Sequence, residues 1–378
     1  HSGIYSLACS RGLLERMLYQ EVQSVENIIV CEGATVSDIG FHGAQNKVVD
    51  VHAHIKGKGV SVFEADIFID AMGRSSKSPQ WLASKYGVDI KTTTVMPFAG
   101  YATCLYNVSV DQPTDWVVSG VSAVAPDAPK GSAMMHIEHH QLLVTLYSME
   151  QQRLPSNIDT FLEYAQSIPG QFAYKTIQDL SPVSPVYRFK NLGNRYTHFE
   201  HVDMPCNYFV LGDAVSINTP VYAQGMSKGV LGVQCLENTV FKSKQWRGRS
   251  YAWGRRRLLS NQFYKKQTKL LRSVWNMAVR EDTPWLTTVM SKNSKQMYLT
   301  CFFRNLSQWY VQKWVEAMPQ NPKLMHAFLQ IMHLVRSPNS VCHIWVAWRL
   351  YWMRVEALYG RWGIKFKNRL IWGGNVNK

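Results

Sequence analysis

The chain has 378 residues, 46% of them hydrophobic, enough to bury a large core and to divide into two or three domains. Its seven cysteines (9, 31, 104, 206, 235, 301 and 342) form no CxxC pair, which argues against a zinc site or a disulfide framework and for free thiols in a reducing, cytoplasmic setting. The net charge of +15 is uneven: residues 1–240 carry 16 Lys+Arg against 22 Asp+Glu, whereas residues 241–378 carry 25 against 4 and hold 11 of the 13 Trp.

Residue 1 is His, so the natural start is expected upstream. Residues 10–22 place Leu13, Leu14, Met17 and Leu18 at helical spacing, with Ser10 positioned to cap the helix. Alternating stretches then predict strands in VENIIVCEGATVSDIGF, KVVDVHAHI and GVSVFEADIFIDAMG, separated by turn residues. Strand-like runs continue from about Thr92 to Tyr147 (YATCLYNVSV, DWVVSGVSAVA, HHQLLVTLYSM). Residues 156–180 read as helical and Val186–Phe189 as a further strand. Asn207–Leu211 is a short apolar strand ending at Gly212-Asp213, and beyond Gln224 the pattern is helical to about Trp362. No apolar run approaches ~18 residues without a charge, so no membrane-spanning helix is expected.

The most informative stretch is 208–229, YFVLGDAVSINTPVYAQGMSKG. A buried strand turns at Gly212 and leaves Asp213 at its C-terminal edge, where ligands bind in open α/β sheets. A loop through Pro220 leads to Gln224-Gly225-Met226, which open a helix whose free N–H groups suit an anion or a polarised carbonyl. Residues 65–82, ADIFIDAMGRSSKSPQWL, repeat the logic: a strand delivers Asp70, Gly73 permits a tight turn, and Arg74, Ser76 and Lys77 offer donors.

GDAVSINTPVYAQGM resembles the second FAD motif of flavoprotein monooxygenases related to para-hydroxybenzoate hydroxylase, closest to the branch with polyether epoxidases and squalene monooxygenase. Gly212, Asp213, Pro220, Tyr222, Gln224, Gly225 and Met226 match that pattern; Thr219 stands where Asn is usual, and Ala223 where Gly is usual. An alanine at position 223 is strained if the loop needs a positive φ there. Asp70, Gly73, Arg74 and Ser76 resemble the middle D-A-x-G-R-x-S motif. Ser10-Arg11 with Leu14-Glu15 resembles the SR-x-x-L-E helix, and residues 184–199 resemble the strand returning from the substrate sheet. Trp275, Ala278, Glu281 and Asp282 resemble a W-x-x-A-x-x-E-D helix that follows the second motif. The resemblance runs from about residue 7 to 340.

It implies an α/β (α+β) chain: an FAD/NAD(P)-binding three-layer fold lacking its first βαβ unit, with an inserted antiparallel-sheet substrate domain and a helical C-terminal region. The expected divisions are 1–92 with 200–240 for FAD, 93–199 for substrate and 241–378 for the helical region. The cofactor residues it implies are Arg11, Asp70, Gly73, Arg74, Gly212, Asp213, Pro220, Gly225 and Met226, with no catalytic side chain and no metal. NAD(P)H would reduce FAD, O₂ would add at the flavin C4a position, and the C4a-hydroperoxide would pass one oxygen atom to an apolar alkene or aromatic substrate. No G-x-G-x-x-G follows a strand; Gly57-Lys58-Gly59 lacks the third glycine, so that fingerprint is expected upstream of residue 1.

Other constellations weigh less. His52 with His54, and His136 with His139 and His140, have no accompanying Cys or carboxylate set for a metal. Arg255–Arg257 with Lys265, Lys266 and Lys269 reads as a solvated helix face, and 341–362 as either an interfacial or a core-packed helix. The basic Trp-rich tail leaves peripheral membrane contact open, whereas no nucleic-acid reader motif accompanies the charge. Alternatives are another FAD oxidoreductase of prenyl-reductase type, or a non-catalytic membrane-surface or binding protein derived from a flavoprotein. The W-x-W-x-I-P stretch of halogenases is missing.

Overall fold

The computed structural model describes residues 7–109, 114–125, 127–149, 153–220, 223–243, 253–286 and 321–336. It divides into two compact units, Ser6–Ser291 and a second comprising His1–Tyr5 with Lys292–Lys378. In the larger unit the chain runs α1 (Arg11–Ser24), β1 (Ala34–His42), β2 (Lys47–Ile55), β3 (Gly59–Glu64), β4 (Phe68–Asp70), α2 (Ser78–Trp81), β5 (Thr92–Asn107), β6 (Val118–Val121), β7 (Lys130–Ile137) and β8 (Gln141–Ser148). It continues through α3 (Ile158–Gln166), α4 (Phe172–Ile177), β9 (Tyr187–Thr197), β10 (Tyr208–Val210), β11 (Ser216–Ile217), α5 (Gly225–Leu236) and α6 (Trp253–Leu286). The described part of the second unit contains α7 (Pro322–Met332), whose start is capped by Asn321 accepting from Lys323 N and Leu324 N. The stretch 341–362 lies outside the described residues.

The described strands form three sheets: an antiparallel meander β1-β2-β3, a parallel pair β10-β4, and a six-stranded sheet ordered β11-β9-β5-β8-β7-β6. The meander and the parallel pair share a core that includes Ile39, Val48, Phe68, Leu82, Phe209 and Phe263. Phe263 brings α6 into that core, so this helix belongs to the same unit as the Gly212-Asp213 turn; the structural division falls at residue 291. Helix α6 also supplies what β10 lacks on the side away from β4. Tyr264 OH accepts from Val210 N (3.2 Å) and donates to Tyr208 O (2.9 Å), while Gln267 Nε2 donates to Val210 O (3.1 Å). Side chains thereby satisfy backbone groups that would otherwise be buried unpaired.

The large sheet follows the two-residue period of its strands. Along β8, Leu142, Val144, Leu146 and Ser148 are buried, alternating with half-buried neighbours. The buried face packs with Cys104 and Tyr106 of β5 against Phe161 and Ala165 of α3 and Ile177 of α4. The opposite face carries Tyr101, Thr103, Thr145 and Phe189; Thr103 and Thr145 hydroxyls pair across strands at 2.8 Å. A shift in register between Val95 and Ala99, where Phe98 has φ 55°, bends β5.

Four details differ from the expected pattern. Residues 25–33 form no strand: Ile28, Ile29 and Val30 are exposed, and a β-branched run needs a partner strand to become one. Strand β7 lies between two of the predicted runs, where KGSAMMHI offers little alternation to read. The helix expected over 156–180 divides into α3 and α4, because Pro169 cannot continue the ladder and Gly170 and Gln171 take positive φ (77° and 54°). The helical pattern after Gln224 also changes at Glu237–Phe241, a π-turn ending α5.

Candidate functional site

Strands β4 and β10 pair in parallel from Phe68–Tyr208 to Asp70–Val210, and Leu211 N donates to Asp70 O at 2.9 Å. Both chains therefore leave the sheet at the same edge. Gly73 (φ +66°) and Gly212 (φ +61°) make the two turns, and a Cβ added at Gly73 would lie 3.9 Å from the Asp213 Cβ. Left-handed backbone at both positions is what glycine permits without strain. The middle motif and the Gly-Asp motif, far apart in sequence, thus sit side by side at strand C-termini.

The two aspartates divide the work. Asp70 is buried, and its carboxylate accepts from Met72 N (2.8 Å), Ser76 Oγ (2.5 Å) and Ser78 Oγ, the last of which also bonds Tyr208 OH at 2.6 Å. Its acceptors act inside the turn, which places Asp70 beneath the site. The Asp213 side chain is 48% exposed and one oxygen lies 3.1 Å from Lys228 Nζ, so the carboxylate is held at one edge and open at the other.

Lys228 was not singled out from sequence. Only 1% of its side chain is exposed, and its ammonium donates to Ser216 O and to Asn218 Oδ1 (3.2 Å) as well as pairing with Asp213. Burial pulls its pKa below the ordinary lysine range, and the Asp213 charge opposes that pull. The available signal was a lone lysine within the otherwise uncharged helix GMSKGVLGVQCL.

The loop between Ser216 and α5 is fixed from below. Thr219 N donates to Asn194 Oδ1 (2.9 Å), Thr219 Oγ1 donates to Asp282 Oδ2 (2.9 Å), and Asn194 Nδ2 donates to the same carboxylate. All three side chains are buried. Threonine at 219 therefore keeps the polar contact that the asparagine pattern suggested, and Asp282 of α6 receives it. Pro220 is exposed, and its carbonyl accepts from Ala223 N at 2.9 Å. Ala223 has φ +52°, the left-handed conformation in which a side chain is unfavourable. Helix α5 then begins at Gly225 with no side-chain cap from Gln224, so its first-turn N–H groups, Met226 included, lack that partner.

Three arginines flank these turns. Arg11 opens α1 and pairs with Glu15 at 2.6 Å; its pKa is raised first by that hydrogen bond and by the Glu15 charge, with smaller contributions from Tyr101 and Asp213. Arg74 is exposed with its guanidinium 5.5 Å from the Phe189 ring centroid. Arg195 of β9, also missed from sequence, donates to Arg74 O at 3.1 Å. The structure thus gathers Gly73, Arg74, Gly212, Asp213 and the start of α5. Asp70 supports them from within.

Among the described residues, His198, Glu200 and His201 bring their ligand atoms within 4.8 Å of one another. Their rings are parallel (9°) with centroids 5.2 Å apart, so the two ring planes do not converge on one ion; Glu200 accepts from His198 Nδ1 at 3.1 Å instead. Lys265, Lys266 and Lys269 lie on the solvated side of α6. No described helix is long and apolar enough to cross a membrane.

This architecture, a parallel strand pair bearing two glycine turns beside a six-stranded antiparallel sheet, is similar in fold to solved flavin-dependent enzymes. The p-nitrophenol 4-monooxygenase PnpA from Pseudomonas putida superposes with a TM-score of 0.58 at 11% identity, over 87% of this chain and 73% of that one. HpxO from Klebsiella pneumoniae, solved with FAD and uric acid, superposes with a TM-score of 0.54 at 14% identity, over 87% of this chain and 72% of that one. Protein Rv3254 of Mycobacterium tuberculosis is 24% identical over 226 residues, 58% of this chain and 47% of that protein. The chain therefore spans about half the length of that curated relative. No protein-family model matches.

Proposed function

We propose that the chain forms the flavin- and substrate-facing part of an FAD-dependent monooxygenase. The observation that carries this reading is the adjacency of the Gly73 and Gly212-Asp213 turns at the ends of two parallel strands, next to an uncapped helix start. The residues present fit the cofactor: two turns without side chains for close approach, a half-exposed carboxylate for a hydroxyl, and free amides for a polarised carbonyl. When bound, FAD would take electrons from NAD(P)H and deliver one oxygen atom of O₂ to the substrate.

In this reading Asp213 accepts a hydrogen bond from a ribityl hydroxyl, and Lys228 keeps its carboxylate aimed outward. The Gly225 and Met226 amides, at the positive end of α5, stabilise charge that develops on the pyrimidine edge. Pro220 shapes the loop beside the ring, while Arg11 and Arg74 flank the entrance. The open face of the large sheet, with Tyr101 and Phe189, holds an apolar alkene or aromatic substrate. The adenosine half is held by a dinucleotide-binding βαβ unit outside these residues. Uncovered apolar surface supports that assignment: α1 has no buried residue, Ile69 of β4 is 47% exposed, and Met226, Val230 and Val233 form an exposed stripe on α5.

The test is a flavin titration of the full-length protein, followed by absorbance and by quenching of flavin fluorescence. A yellow wild-type protein, and an affinity loss of tenfold or more in Asp213→Ala, are expected. A colourless full-length protein, or unchanged affinity in Asp213→Ala, overturns the proposal.

A further inference from the structure

Lys228 directs its ammonium at three oxygens of a single loop. It donates to the Ser216 carbonyl and to Asn218 Oδ1 (3.2 Å), and lies 3.1 Å from Asp213 Oδ1. An ammonium has three donors and no acceptor, so the set matches it fully. Two of these oxygens are held by the fold. The Ser216 carbonyl belongs to β11, which pairs with β9, and Asn218 Oδ1 also accepts from Ser216 Oγ at 3.3 Å. The Asp213 carboxylate is the one with open space, its side chain being 48% exposed. The position is unfavourable for a cation. The lysine side chain is buried, and it stands in the first turn of α5, where the helix dipole disfavours positive charge. Burial lowers its pKa, and Asp213 opposes that shift. Among the described residues, Asp213 is the charged group acting on the ammonium; α6, which also packs on α5, brings none to it. Arg11 of α1 and Arg195 of β9 act on Asp213 instead.

We propose that Lys228 is a proton-operated latch on the loop from Gly212 to Thr219: charged, it holds Asp213 in place for a flavin hydroxyl; neutral, it lets the carboxylate go. A neutral amine offers two N–H groups and a lone pair, so it no longer satisfies three oxygens. The two inner acceptors stay where the fold holds them. The lone pair therefore falls to Asp213, whose carboxylate turns to water. Flavin and proton then bind cooperatively, each raising the affinity of the other by the same factor. Flavin affinity is level while the lysine is charged. Once the lysine titrates, affinity falls with rising pH by up to about tenfold per pH unit for one proton. The inference rests on the reading of Asp213 as a flavin ligand and adds a regulation to it. A lysine that only propped the loop would lower stability when removed but would impose no pH dependence on flavin binding.

The experiment titrates the full-length protein with FAD between about pH 6.5 and 9.5, below the ordinary tyrosine and lysine ranges. Binding is followed by fluorescence quenching at fixed ionic strength, with circular dichroism confirming the fold at each pH. The wild type is expected to show level affinity and then a fall of up to about tenfold per pH unit. Calorimetry in buffers of different ionisation heat is expected to show proton uptake on binding along the falling part. Lys228→Met, which keeps the length and removes the titrating group, is expected to bind more weakly at neutral pH and to show no break. Asp213→Asn, on a half-exposed side chain, gives a second variant should Lys228→Met fail to fold. It keeps an oxygen acceptor and removes the charge that favours the ammonium, so its break is expected at lower pH. Ionisation of the flavin itself is common to all variants and cancels in the comparison. A yellow wild type with a flat pH profile, a break that persists in Lys228→Met, or one that stays in place in Asp213→Asn overturns the latch and leaves the flavoprotein reading intact. A protein that is colourless at every pH overturns that reading and the latch with it.

Discussion

At the scale of single residues, the backbone between β10 and α5 turns left-handed at two positions. Gly212 and Ala223 both adopt positive φ, but only one of them is a glycine. The left-handed region costs a residue with a Cβ about 1–2 kcal/mol, against which glycine gives back part through its freer unfolded chain. Ala223→Gly is therefore expected to stabilise the protein by about 0.5–1 kcal/mol, measured as a higher urea midpoint with unchanged slope. Gly212→Ala is expected to destabilise it by about 1 kcal/mol through conformation alone, since an added Cβ there meets nothing within 4 Å. The strain at Ala223 was readable in advance, because a positive φ can be inferred from the glycine usual at that place in the motif. The role of Lys228 was not, because its three acceptors, at Asp213, Ser216 and Asn218, become neighbours only when the loop folds over the first turn of α5.

At the scale of elements, the motifs whose chemistry is local were legible and the pairings across the chain were not. Ser10 caps α1 by accepting from Leu13 N at 3.1 Å, as its type and position suggested. The two glycine turns likewise follow from short strands that end in Gly. By contrast, nothing in NYFVL shows that Tyr264 and Gln267 of a distant helix complete its hydrogen bonding. Nothing in the W-x-x-A-x-x-E-D pattern shows that Asp282 reaches under the loop between Ser216 and α5. That contact makes α6 part of the site's support. Thr219→Val keeps the volume and removes the donor to a buried carboxylate, and is expected to cost about 2 kcal/mol in urea unfolding. Thr219→Ser, which keeps the hydroxyl, is expected to recover most of that loss; equal destabilisation by both would assign the effect to packing.

At the scale of the whole molecule, buried tyrosines tie the two layers of the larger unit to one pH response. Tyr196 packs edge-on against Trp275 at 5.4 Å and donates to Thr268 Oγ1 at 3.2 Å, joining β9 to α6. Burial pushes its pKa up to about 12, and burial does the same to Tyr164 under the large sheet. Tyr208 on β10, Tyr264 beside it and Tyr106 on β5 are raised in the same direction and for the same reason. An unfolded tyrosine titrates near ~10, so below that pH both states hold the proton and the full contribution is present. Between pH 10 and about 12 the unfolded chain releases protons that the native protein keeps. Stability must then fall as pH rises, by up to about 1.4 kcal/mol per pH unit for each such group. Urea midpoints taken across that interval are expected to drop steeply, with burial of several phenols in both layers making the loss cooperative. Tyr196→Phe removes one titrating group and is expected to give a shallower decline above pH 10 with a small offset below it. A decline as steep in Tyr196→Phe as in the wild type would mean that this phenol ionises equally in both states, and that α6 is not held to β9 as firmly as its packing implies.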